Sequence, residues 1–156
     1  MSRKVSRPFR VGRAKTGLGL FATEGIAKGR TIVEYRGRRI TTVEANEIER
    51  RGTNRYLFEL NRNWTIDGSS RRNLGRYVNH ACRPNAEAIM RRTGRLEFAA
   101  ARYIEPGEEI TLDYGKDYFD LILAETGCKC MTCTTKGLRK TSKPAAARKR
   151  KAKKRR

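Results

Sequence analysis

The residues best able to do chemistry cluster at two places. The only histidine, His80, follows Asn79 and stands two residues before Cys82. Imidazole and thiol together could serve a hydrolase, His80 as base and Cys82 as nucleophile. Such partners are, however, normally brought together from distant positions. Three more cysteines, Cys128, Cys130 and Cys133, are closely spaced. With Cys82 they make a set able to hold zinc tetrahedrally, the alternative being four metal-free thiols. Glu108-Glu109 offers paired carboxylates shortly before Tyr114; these read as a general base or as a solvated turn. Gly17-Leu-Gly-Leu-Phe-Ala22 fits a loose dinucleotide-binding pattern. That pattern requires a buried strand before it and a helix after it. Arg13 and Lys15 precede it and Gly25 and Gly29 follow, so the hexapeptide by itself reads as a plain turn.

Short β-elements must position these groups. β-Branched and aromatic content predicts strands around Phe9–Val11 and at Thr31–Tyr35, Tyr56–Leu60, Trp64–Asp67, Leu96–Phe98 and Ile110–Leu112. Asp67-Gly68 and Pro106-Gly107 punctuate them. Thr41 and Glu44 predict a capping box, with Gly52 ending the helix, whose thin apolar face (Val43, Ile48) places it on the surface. Asp117–Ala124 predicts a second short helix. The fold class expected is mainly β with short helices.

Composition narrows the options. A chain of 156 residues, 37% hydrophobic, suffices for one domain with a real core. Basic residues number 37 against 16 acidic, a formal charge of +21. Residues 136–156 hold twelve of the basic residues and no acid, so residues 1–135 keep 25 basic against 16 acidic, a net +9. This charge favours polyanions or acidic partners and says nothing of fold. No run approaches the ~18 apolar residues of a membrane span, and the basic N-terminus lacks a signal-peptide core. The expectation is an intracellular protein without membrane contact, its cysteines read as thiols or metal ligands. From Lys136 the Lys-, Arg- and Ala-rich chain is expected to be disordered. Three readings of it stay open: a solubilising end, a nuclear-import signal, and sequence-independent phosphate binding, the favoured one.

Two long segments carry a resemblance. Arg76-Tyr-Val-Asn-His-Ala-Cys-Arg-Pro-Asn85 and Gly107-Glu-Glu-Ile-Thr-Leu-Asp-Tyr-Gly115 resemble, in order, the two motifs of the SET-domain protein-lysine methyltransferases. The chain looks like their compact bacterial and viral forms with post-SET-type cysteines. The resemblance implies a β-clip-like fold of small sheets around a pseudoknot. It implies a lead-in at 1–9, a SET domain at 10–116, a post-SET-like segment at 117–135 and a basic tail at 136–156. It implies binding of S-adenosyl-L-methionine by Gly17, Leu18, Gly19, Tyr56, Arg76, Tyr77, Asn79 and His80. Tyr114 is then the catalytic aromatic, and Tyr35 lines the lysine channel; read without the family, Tyr35 is a strand-end side chain packed on the core. Leu112 stands where the family usually has Phe or Tyr, a position that influences methyl number. Ala81 departs from the usual Ser. A structural zinc on Cys82, Cys128, Cys130 and Cys133 is implied, although only two residues precede the last cysteine where four are commoner.

The function implied is methyl transfer to a protein lysine, in a histone or another basic DNA-associated protein. The alternative is a non-catalytic basic DNA-compacting protein on a SET-like scaffold. A third is a zinc-dependent interaction module. Expected locations are the bacterial cytoplasm or nucleoid, or the nucleus and chromatin of a eukaryotic cell.

Overall fold

The structure, a computed structural model, describes residues 7–115 and 127–135. The chain divides into two compact units, Met1–Asp113 and Tyr114–Arg156.

The first unit is built of three small sheets. In chain order its elements are β1 (Phe9–Ala14), β2 (Gly17–Ala22), β3 (Thr31–Glu34), β4 (Arg38–Thr41), α1 (Thr42–Arg50), β5 (Leu57–Asn61) and β6 (Trp64–Asp67). A 3-10 turn at Leu74–Tyr77 follows, then β7 (Asn79–His80), β8 (Ala86–Met90), β9 (Leu96–Ala100) and β10 (Glu109–Leu112). The sheets run β1-β2-β10-β7, β3-β9-β8 and β4-β6-β5. Each strand is too short to bury much alone. The core forms where the sheets meet, from Leu20, Ile26, Ile40, Phe98, Ile104 and Ile110, all at most 1% exposed. Burying a side chain of this size contributes roughly 1.5–3 kcal/mol.

The predicted strands form, several with shifted ends: Trp64–Asp67 keeps its bounds, while Tyr56–Leu60 becomes Leu57–Asn61. The hexapeptide 17–22 is a strand, not a turn. Its turn lies just before, and Gly17 takes φ +121° at the start of the hairpin's second arm. The two glycines are held in β2 by β1, which sets Ala14 opposite Gly17 and Gly12 opposite Gly19. Thr41 caps α1, its hydroxyl accepting the Glu44 N–H at 3.2 Å. The Glu44 carboxylate turns instead to Arg38 at 2.8 Å and away from the reciprocal side of the box. The helix predicted at 117–124 and the tail from 136 lie outside the described residues. No described helix is long and apolar enough to cross a membrane.

In the second unit a short helix, α2 (Met131–Thr135), begins directly after Cys130.

Candidate active site

The two motifs meet along one strand pair. β10 runs parallel to β7, with Thr111 beside Asn79 and Leu112 beside His80. The Ala81 N–H extends the pairing by donating to the Leu112 carbonyl at 2.9 Å. On its other edge β10 pairs antiparallel with β2. Three candidate segments, Gly17–Gly19, Asn79–His80 and the strand leading to Tyr114, are thus tied together through the main chain of β10.

Side chains lock this arrangement. Asn79 donates its amide to the Leu18 carbonyl at 3.1 Å and to the Glu109 carboxylate at 2.7 Å. A Cβ on Gly19 would lie 2.7 Å from Glu109 Oε1 and 3.1 Å from Asn79 Nδ2. The second glycine therefore leaves room for the amide–carboxylate pair. Glu108 pairs with Arg102 through both carboxylate oxygens and also accepts from Asn85. The Arg102 guanidinium holds the Glu108 carboxyl below the ordinary glutamate range, against the opposing effect of burial. Both carboxylates are thus committed to partners, and neither is presented as a general base.

Buried Asn85 and Asn73 were not singled out as site residues by sequence. Asn85 clamps β10: its side-chain carbonyl accepts the Thr111 N–H and its amide donates to the Glu109 carbonyl. Asn73 accepts the Arg36 N–H at 3.0 Å and donates to the Gly68 carbonyl at 3.0 Å. Their partners lie 26 and 37 residues away in sequence, so no local pattern announces them.

Tyr35 is enclosed. It is 6% exposed, its ring packs 5.5 Å from those of both Phe58 and Phe98, and its hydroxyl donates to the Tyr56 carbonyl at 2.8 Å. A Cβ on Gly68 would meet its hydroxyl at 2.4 Å. Burial, reinforced by Asp67, raises its phenol well above the usual tyrosine value. The hydroxyl is a neutral donor at physiological pH.

Arg76 stacks over the Tyr56 ring at 3.8 Å and lies 5.6 Å from the Tyr77 ring centroid. It donates to the Ser69 carbonyl, yet its buried Nε has no hydrogen-bond partner among the described residues. Two aromatic rings beside a guanidinium with an unspent donor suit a ligand that has an apolar surface and an anionic group. His80 lies 3.8 Å from Asp113 through Nδ1 and 3.6 Å from the Cys82 sulfur through Nε2. Burial lowers its pKa, with Asp113 opposing. Leu112 is buried and brings neither ring nor hydroxyl.

Residues 17–115 match the family described as SET domain. The chain belongs to the SET-domain family. Histone-lysine N-methyltransferase set-2 of Caenorhabditis elegans is 37% identical over 129 residues, 78% of this chain and 8% of that protein. Histone-lysine N-methyltransferase ASHH3 of Arabidopsis thaliana is 35% identical over 155 residues, 93% of this chain and 42% of that protein. The chain thus spans less than half the length of either relative. Among solved structures, an active polycomb repressive complex 2 in the basal state aligns with TM-score 0.64 and 32% identity, over 73% of this chain and 16% of that one. A humanized mutant of the Chaetomium thermophilum complex aligns at 0.63 and 31%, over 72% and 15%. Small sheets with few short helices are the fold that this SET-domain chain shares with them.

The second unit carries Tyr114, half-buried, followed by Gly115 at φ +85°. It also holds Cys128, Cys130 and Cys133, half-buried thiols whose sulfurs lie within 4.8 Å of one another. The Cys133 N–H donates to the Cys130 carbonyl at 3.1 Å, a turn that draws the two side chains together. Sulfurs around tetrahedral zinc stand about 3.8 Å apart when each bond is ~2.3 Å. The cysteine cluster could hold a metal ion, and its soft donors suit zinc.

Proposed function

We propose that this SET-domain chain transfers a methyl group from S-adenosylmethionine to a protein lysine. The observation that carries the reading is the parallel pairing of β7 with β10, which sets the Asn79-His80 motif alongside the strand that leads into Tyr114. Family membership and relatives named as histone-lysine N-methyltransferases support it. Histones or other basic DNA-associated proteins are the proposed substrates, and chromatin or a bacterial nucleoid the proposed location. The proposed organisation is a SET domain over 10–116, a post-SET-like segment over 117–135 and a basic tail beyond.

S-Adenosylmethionine, when bound, supplies an electrophilic methyl group. The protein's task is to hold and align. Gly17, Leu18 and Gly19 offer main-chain groups, Asn79 and His80 the adenine side, and Arg76 with Tyr56 and Tyr77 an aromatic wall. The orphaned Arg76 Nε suits the donor's carboxylate. The acceptor lysine must be neutral to attack, yet only roughly one in 2,500 is neutral at pH 7 for a pKa near 10.4. Aromatic enclosure of the amine, for which Tyr114 and Tyr35 are the proposed residues, would disfavour the ammonium form. Alignment of the neutral amine supplies most of the acceleration. The amine proton leaves to solvent, and no side chain is assigned as dedicated base. Leu112 would leave more space than the usual ring, with consequences for methyl number.

Cys82, exposed beside the Asn-His motif, is proposed as the fourth zinc ligand. The deciding experiment is calorimetry with S-adenosylmethionine followed by tritiated-methyl transfer to a peptide array. Cofactor binding with lysine labelling that Tyr114→Phe lowers by about 100-fold supports the reading. No cofactor binding by folded protein removes it.

A further inference from the structure

Two arginine-rich segments flank a cavity whose wall also includes Tyr35. Residues 36–39 contain Arg36, Arg38 and Arg39, and residues 91–95 contain Arg91, Arg92 and Arg95. The first runs from the β3–β4 connection into β4, and the second closes the β8–β9 hairpin, where Gly94 takes φ +77°. Arg39 fastens them together by donating to the Gly94 carbonyl. Between them lies an open cavity of about 250 Å3, with Arg36, Arg39 and Arg95 in its wall and, among the described residues, Glu34 as the single acid.

Internal ion pairs do not use up this charge. Glu34 pairs with Arg36 at 2.9 Å, and outside the wall Arg38 pairs with Glu44 and Arg91 with Glu97. Arg39 meets only a main-chain carbonyl in the bond above, which does not neutralise it. With one carboxylate against three guanidiniums the described wall keeps two positive charges, and exposed Arg92 belongs to the same 91–95 turn. The wall is polar and its arginines are exposed, which suits a hydrated, extended anion better than an apolar small molecule. Guanidinium forks match phosphate oxygens bidentately.

We infer that the cleft between the 36–39 and 91–95 turns is a phosphate-backbone docking site for duplex DNA, carried by the folded body and separate from residues 136–156. The one aromatic in the described wall, Tyr35, is buried and offers no stacking face, so the affinity proposed comes from phosphate neutralisation. It stands whether or not the chain transfers methyl groups.

The test uses the full chain and a 30-base-pair duplex of mixed sequence, with binding followed by fluorescence anisotropy across a salt series. Each phosphate contact contributes about 0.9 to the log–log salt slope. Arg36→Gln/Arg92→Gln/Arg95→Gln should lower the slope by about two to three and weaken binding at least about tenfold near 0.1 M salt. Arg39 is left in place because it fastens the two turns. The matched control Arg50→Gln/Arg51→Gln/Arg55→Gln, on and beyond the end of α1, should leave the slope unchanged. Equal losses in both triples overturn the site in favour of diffuse charge. No loss in the first triple overturns it in favour of the tail. A readout free of mutation is arginine modification by hydroxyphenylglyoxal: DNA should protect Arg36, Arg39 and Arg95 in the wild-type chain. Protection by polyglutamate but not by DNA overturns the assignment and points to an acidic protein partner.

Discussion

Asn85 grips Thr111: its side-chain carbonyl accepts the Thr111 N–H at 2.9 Å while its amide donates to the Glu109 carbonyl at 2.8 Å. One buried side chain thus replaces a neighbouring strand for part of β10. Asn85→Ala leaves two main-chain groups without these partners, at a cost of about 3 kcal/mol. The urea midpoint should fall accordingly, and exchange of the Thr111 amide should speed up more than that of Ile110, which pairs with Leu20 on β2. Equal acceleration throughout β10 would mean that Asn85 is a general core residue and not a local clamp.

Glycine positions separate by what surrounds them. A Cβ on Gly37 would lie 2.0 Å from the Asp67 carbonyl oxygen, and on Gly68 2.4 Å from the Tyr35 ring and hydroxyl. Neither the sheet backbone nor a ring wedged between Phe58 and Phe98 can give way. At Gly19 the nearest atom, at 2.7 Å, ends a flexible glutamate. At Gly52 nothing is near, and only φ +64° opposes a side chain. Alanine should therefore cost about 3 kcal/mol or more at positions 37 and 68 but only about 1 kcal/mol at 52, with 19 between. Thermal melts of the four variants check the order.

The same residues show what the sequence made legible. Trp64–Asp67 reads as a strand because its alternation and the Asp-Gly turn after it are local signals. β4, Arg38–Thr41, carries three polar residues in four and gives none; it is a strand because β6 pairs with all four. β8, Ala86–Met90, has a helix-former's composition, and β9 overrides it through a five-residue register. Context dictates strand formation more than propensity does. At the site, the Asn79-His80 and Tyr114 segments were legible only through a long resemblance. Asn73, Asn85 and Glu109 acquire their roles from distant partners that no spacing reveals.

The cysteines predict metal dependence. Purified protein should carry about one zinc per chain, and a strong chelator should release it together with a fall in melting temperature. Cys130→Ser should lose the metal even when zinc is resupplied, since a hydroxyl is a poor substitute for thiolate. Cys82→Ser tests the proposed fourth ligand separately. If Cys82→Ser retains zinc at wild-type affinity, another donor closes the tetrahedron.

Acid stability should depend on Glu108. Its folded pKa lies below the ordinary glutamate value, chiefly through Arg102. Its stabilisation is complete above about pH 4.3 and disappears as pH falls through the folded value. Wild type and Glu108→Gln should therefore differ most in urea midpoint near neutrality and converge in acid. A constant gap between them would assign the effect to shape and not to charge.

Tyr35 carries the opposite sign. Its proton is held more tightly in the folded protein than in the unfolded chain, because burial disfavours the phenolate and Asp67 adds to the effect. Its stabilisation is whole below the unfolded tyrosine value of about 10 and is lost as pH climbs from there toward the folded value. Tyr35→Phe removes the hydrogen bond to the Tyr56 carbonyl, about 1 kcal/mol near neutrality, and removes the alkaline loss with it. The variant should start less stable than wild type at pH 8 and overtake it as pH rises above 10. Methyl transfer distinguishes the two roles of this hydroxyl. A pure core donor costs activity only in step with stability, and a channel wall that orients the lysine lowers kcat at pH 8 in protein that remains fully folded.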